Sequence, residues 1–123
     1  TDAASGKTFE CISPIDGRVL ARVAECGSQD VDRAVAVARR AFDKGDWSNA
    51  RPTHRKKVLV RFAALMNEHA DELALLESLD MGKPISDALN VDVAASVRCM
   101  AWTGEAIDKV YGEVAATGPD ELG

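Results

Sequence analysis

The stretch Glu77-Ser78-Leu79-Asp80-Met81-Gly82-Lys83-Pro84 decides how this chain is divided. Glycine, lacking a Cβ, enters the left-handed conformation that closes a helix, and a proline two residues on cannot continue one. Upstream, Val58, Phe62, Leu65, Met66, His69, Leu73, Leu76 and Leu79 recur with a period near 3.6, so the spacing predicts a single helix over 53–81 that stops at Gly82. Downstream, Ser86 and Asp87 restart a helix. Leu89, Val93, Val97, Met100, Ala101, Ile107 and Val110 carry it to about residue 110, where Gly112 ends it.

Further towards the N-terminus, Val31, Ala34, Val35, Ala38, Ala41 and Phe42 form one apolar stripe over a helix at 29–43, with Ser28 as its N-cap and Asp30 and Asp32 in its first turn. Lys44-Gly45-Asp46 breaks this helix, and a loop containing Trp47 runs to Pro52, a residue suited to a first helical turn. Residues 8–12 and 18–23 are short runs of β-formers flanking Asp16-Gly17, a turn dipeptide, and predict a hairpin. An isolated hairpin is marginal in water, so it must dock on something. Glu113-Val114-Ala115-Ala116-Thr117 reads as a strand with no partner in this sequence. The expected fold class is therefore mainly α: a β-hairpin at 8–23, three helices across 29–110, and a terminal strand within 113–123.

The chain of 123 residues carries a formal charge of −5 and a pI near 5.0, which argues against a phosphate-backbone partner. No apolar run approaches the roughly 20 residues that cross a bilayer. Cys11, Cys26 and Cys99 are odd in number and irregularly spaced, fitting neither a disulfide framework nor a zinc ligand set, and a reducing cytoplasm is the expected compartment. Each reads as a small packed side chain. His69 reads as a packing residue on the helical stripe. Arg51, His54, Arg55, Lys56, Lys57 and Arg61 form a basic run that is either a solvated helix face or a seat for an anion.

Asp80-Met81-Gly82-Lys83-Pro84-Ile85, together with Trp102-Thr103-Gly104-Glu105-Ala106-Ile107-Asp108-Lys109 and Tyr111-Gly112-Glu113-Val114, resembles the N-terminal helical region of NAD(P)-dependent aldehyde dehydrogenases. The likeness extends to Ser13-Pro14-Ile15-Asp16-Gly17, to Val31-Asp32-Arg33-Ala34 and to Trp47, and so covers nearly the whole chain. Within the family it is most similar to bacterial enzymes acting on γ-glutamylamino, guanidino and other amino-aldehydes of polyamine and arginine breakdown. The resemblance implies that 1–123 is the N-terminal segment of a much longer chain of the α/β aldehyde dehydrogenase fold, with family sequence expected on both sides of it. It also implies that the strand at 113–123 begins an oligomerisation hairpin, and that a homo-oligomer forms.

Aldehyde oxidation needs a thiolate, a nicotinamide to accept hydride and a carboxylate to activate water. The resemblance places all three in later sequence. None of the three cysteines follows the family's Gly-Gln, and no Gly-x-Gly offers a pyrophosphate cradle, so no catalytic and no cofactor-binding residue is expected in this segment. NAD or NADP would serve the full-length protein. By resemblance, Asp80 and the backbone carbonyl of Cys11 help to hold a monovalent cation, the alternative being a helix-end aspartate bonded to backbone. Asp92 matches a position at the mouth of the family's substrate tunnel, with Val91 and Ala95 lining its wall. There a carboxylate would offset the desolvation of a distal ammonium or guanidinium, the alternative being an ordinary aspartate in an early helical turn. The competing reading of the whole chain is a stand-alone, non-catalytic helical interaction module.

Overall fold

The computed structural model describes residues 2–112, and the terminal strand expected over 113–123 lies outside them. Strands β1 (Thr8–Ile12) and β2 (Val19–Ala24) form a two-stranded antiparallel sheet, in which Thr8 pairs with Ala24 and Cys11 with Ala21. The register shifts between Cys11 and Ile12, which pairs with Val19. The loop between them is closed by Gly17, at φ +72°, whose N–H donates to the Ser13 carbonyl at 2.9 Å. The hairpin is therefore where the runs of β-formers and the Asp16-Gly17 turn put it.

Helix α1 spans Ser28–Lys44 and ends at Gly45, which takes φ +82°. Its N-cap is Gly27 rather than the expected Ser28, because Asp30 supplies the capping oxygen from inside the first turn: its Oδ2 accepts from the Gly27 N–H at 3.1 Å. Asp30 is buried, and its other oxygen accepts from the Ala4 N–H at 2.9 Å and from Arg33 at 3.0 Å, tying the N-terminal segment to the helix start. The Gly27 N–H and then the Ala4 N–H hold this carboxyl below the ordinary carboxylate value, and with the Arg33 charge they outweigh desolvation.

A folded-state pKa below the unfolded one adds stability that is complete above about pH 3.9 and is lost as the pH falls through the folded value. Asp30→Asn is accordingly expected to flatten the loss of stability on acidification, checked by urea midpoints taken from about pH 6 down to about pH 3. An unchanged slope would show that other carboxylates control acid unfolding.

The single helix expected over 53–81 is two helices. α2 (Pro52–Glu68) and α3 (Ala70–Met81) meet at His69, whose φ of −106° and ψ of 22° leave the helical region while the hydrogen-bond chain passes through it. His69 donates from its N–H to the Leu65 carbonyl at 3.1 Å and accepts from the Leu73 N–H at 3.0 Å. Its ring is exposed, with Nδ1 3.4 Å from the Glu72 carboxylate, so the expected packing role is not the one it has.

The third expected helix is also subdivided. A short α4 turn (Ile85–Asp87) leads into a π-helical turn (Ala88–Val93), then α5 (Ala94–Ala106) and a 3-10 turn (Ile107–Lys109). α2 lies along α5, and Gly104 makes the approach possible: a Cβ there would stand 3.1 Å from Val60 Cγ2 and 3.2 Å from Leu59 Cβ. Beside this approach Lys56 stands 2.7 Å from Glu105 and 3.1 Å from Asp108. α3 packs on the π turn through Ala74, Ala88 and Val93, with Ala70, Leu73, Leu89 and Val97 around them.

This core is made of small side chains, and among the described residues no large one is fully buried. Phe62 is 46% exposed and Val35 62%, and the stripes that define α1 and α2 face solvent in this chain. Amphipathic faces of this kind are stabilised by burial rather than by propensity. Their cover is not among the described residues, which does not suit a free-standing helical module.

Candidate functional site

The last turn of α3 and the Gly82-Lys83-Pro84 corner bring Asp80 to Cys11 on one side and Lys83 to Asp92 on the other. Gly82 takes φ +72° and ψ 14°, its N–H donating to Ser78. The Ser78 hydroxyl in turn donates to the Lys83 carbonyl at 2.8 Å, so the corner is closed from both sides. A Cβ on Gly82 would lie 2.8 Å from Pro14 Cγ, which shows how closely the hairpin loop seats against the end of α3.

That seating carries β1 to Asp80. The Cys11 thiol donates to Asp80 Oδ1 at 3.3 Å across 69 residues of sequence. The hydrogen bond to this carboxylate, then desolvation and the carboxylate's charge, push the thiol above its ordinary value of 9.0, so Cys11 is held as a thiol rather than a nucleophilic thiolate. Cys26 and Cys99 are exposed, unlike the packed side chains expected of them. Cys11 and Asp80, the two residues expected at a cation site, are thus neighbours. Among the described residues no cluster of three or more His, Cys, Asp and Glu side chains gathers, and the contact with Asp80 is made by the Cys11 side chain, so this segment offers a single carboxylate there. Such a donor set suits a hard, weakly charged ion better than a transition metal.

On the other side of the corner, Lys83 reaches over the start of the π turn and donates from Nζ to Asp92 Oδ2. Glu77, one turn back on α3, stands 3.9 Å from the same ammonium. The Asp92 bond, reinforced by the charges of Asp92, Glu77 and Asp87, raises the Lys83 pKa above its ordinary 10.5 despite desolvation. Asp92 lies within the π turn, a form that occurs mostly as single turns inside α-helices, frequently at functional sites. Val91 is 59% exposed, and Ala95, four residues on, is exposed as well. Asp92 is intermediate in exposure and occupied by Lys83. Lys83 was given no chemical role by sequence reasoning, which treated its tripeptide as a helix stop. The chain contains 15 Lys and Arg among 20 Asp and Glu, and nothing in the spacing marks this pair out.

The helical corner with its docked hairpin is the arrangement of a known family. The model of the aldehyde dehydrogenase family matches residues 1–122, and this chain belongs to that family. It is 51% identical over 122 residues to the NADP/NAD-dependent aldehyde dehydrogenase PuuC of Escherichia coli K12, a match covering 99% of this chain and 25% of PuuC. Among solved structures, it superposes with a TM-score of 0.93 and 61% identity on the gamma-glutamyl-gamma-aminobutyraldehyde dehydrogenase of Burkholderia cenocepacia, covering 96% of this chain and 24% of that one. It superposes with a TM-score of 0.95 and 60% identity on the indole-3-acetaldehyde dehydrogenase AldA of P. syringae in complex with NAD+, covering 98% and 24%. The chain therefore spans about a quarter of the length of these relatives, and it matches their N-terminal part.

Proposed function

We propose that the full-length protein carrying this segment oxidises an aldehyde to its carboxylic acid with NAD or NADP, and that the aldehyde bears a distal amino, γ-glutamylamino or guanidino group. The likeness to PuuC and to the B. cenocepacia enzyme carries this reading. In it, hydride passes to the nicotinamide and water supplies the second oxygen, through a thiolate and a general base contributed by other parts of the protein. This segment contributes the rim of the substrate site. Asp92 meets the distal cation, and Val91 and Ala95 form the apolar wall that excludes water along the substrate's stem. Asp80, with the Cys11 backbone, belongs to a monovalent-cation site that anchors the hairpin to α3. The protein works as a cytoplasmic homo-oligomer. Among the described residues no helix is long and apolar enough to cross a membrane.

One observation favours a second substrate class. Asp92 already has a cation in Lys83, and a carboxylate so paired attracts a further ammonium less. An uncharged aldehyde then competes on more equal terms, and the P. syringae relative is an indole-3-acetaldehyde dehydrogenase. The two readings separate in one assay. NAD(P)H formation by the full-length protein is measured with 4-guanidinobutyraldehyde, an aminoaldehyde, indole-3-acetaldehyde and benzaldehyde. A higher kcat/KM for the cationic pair is expected, and a preference for the neutral pair overturns the first reading in favour of the second.

A further inference from the structure

We infer that Lys83 is a specificity-determining residue, a resident counter-ion that yields Asp92 to the cation of an incoming substrate by shifting onto Glu77. The inference deepens the reading of Asp92 as the substrate's charge partner and rests on it.

Three features of the corner support such an exchange. The Lys83 ammonium stands between two carboxylates on different elements, bonded to Asp92 on the π turn and 3.9 Å from Glu77 on α3. Its backbone is fixed, by the left-handed Gly82 before it, by Pro84 after it and by the Ser78 hydroxyl on its carbonyl, so only the side chain need move. All three side chains are partly open to water, at 32% for Lys83, 37% for Asp92 and 40% for Glu77. No fully buried charge is stranded while the pairs trade, and neither pair is strong enough to lock the lysine in place. A substrate without a distal cation leaves Lys83 where it is. A cationic one gains Asp92 and loses the part of that attraction needed to displace Lys83, so the lysine lowers the preference for charged aldehydes.

The test uses the full-length enzyme and reads the ratio of kcat/KM for an aminoaldehyde to that for benzaldehyde. Lys83→Met keeps the side-chain stem and removes the competitor, and is expected to raise the ratio about 2- to 5-fold, the size of a partly exposed ion pair, through KM rather than kcat. Glu77→Gln removes the alternative seat and is expected to lower the ratio by a similar factor. This opposite sign keeps the proposal testable if Lys83→Met fails to fold. In the Asp92→Asn background both effects should vanish, as coupled residues require. If Asp92→Asn lowers the ratio while neither Lys83→Met nor Glu77→Gln moves it, the exchange is overturned and Asp92 keeps its role. If Asp92→Asn itself leaves the ratio unchanged, the assignment of Asp92 falls and the exchange falls with it. A change confined to kcat and equal for both aldehydes would make Lys83 a structural brace of the π turn.

Discussion

Asp92→Asn in the full-length enzyme is expected to cut kcat/KM for 4-guanidinobutyraldehyde and aminoaldehydes on the order of 10-fold relative to benzaldehyde, chiefly by raising KM. A charge-assisted hydrogen bond is worth about 1.5–3 kcal/mol where water is kept out, which would give a loss on the order of 10- to 100-fold. Asp92 is about a third exposed and shares its charge with Lys83, so the lower end applies. Asparagine keeps the shape and one acceptor oxygen while removing the charge, so the variant isolates the electrostatic part. Steady-state kinetics with matched cationic and neutral aldehydes check it. Equal losses on both would mean that the carboxylate serves the π turn and the helical corner rather than the substrate.

The largest expected effect on stability comes from Gly82→Ala. An L-residue in the left-handed region costs roughly 1–2 kcal/mol from its own backbone sterics. At Gly82 the new methyl would also meet Pro14 Cγ at 2.8 Å, inside contact distance of a ring that cannot rotate away. Together these predict a loss of about 2–4 kcal/mol, seen as a lowered apparent Tm of the full-length protein. Relief of the clash requires the hairpin loop to lift, which would lengthen the Cys11–Asp80 contact at the same time. Gly82→Asn separates the two causes, since asparagine tolerates the left-handed conformation but still carries a Cβ. Nearly wild-type stability in Gly82→Asn would assign the effect to backbone strain alone. A comparable loss in both variants would assign it to the seat of Pro14.

What could be read from the sequence is what local chemistry controls. Gly45 and Gly82 terminate helices because only glycine adopts their φ without penalty, and Asp16-Gly17 turns the hairpin for the same reason. The break at His69 has no such marker. Apolar residues continue on both sides of it, and Leu73, Ala74, Leu75 and Leu76 are consecutive, so no narrow stripe announces a change of direction. The π turn was illegible for a related reason. Its extra residue is absorbed within Ala88–Val93, and no residue type there demands it.

Of the site, Asp80, Cys11, Asp92, Val91 and Ala95 were reached only through the family resemblance. The proximity of Cys11 to Asp80 depends on a hairpin docking 69 residues away from its helix, a distance over which spacing carries no information. The Lys83–Asp92 pair is close in sequence yet spans a corner whose direction the spacing does not reveal. Phe62, on the apolar stripe of α2, is likewise 46% exposed. A stripe shows which face will be covered, not by which part of a protein.

The uncovered faces of α1 and α2 also set a timetable. In a protein of the length of PuuC, of which 122 matched residues are 25%, roughly 370 residues lie outside this segment, and at about 5–20 residues per second their synthesis takes about 20–75 seconds. Until their cover is in place, Val31, Val35, Phe42 and Phe62 stand open on these two helices. Transiently exposed apolar rows of this kind are aggregation-prone, so the interval before their cover is in place decides how long these two helices stand open to wrong contacts.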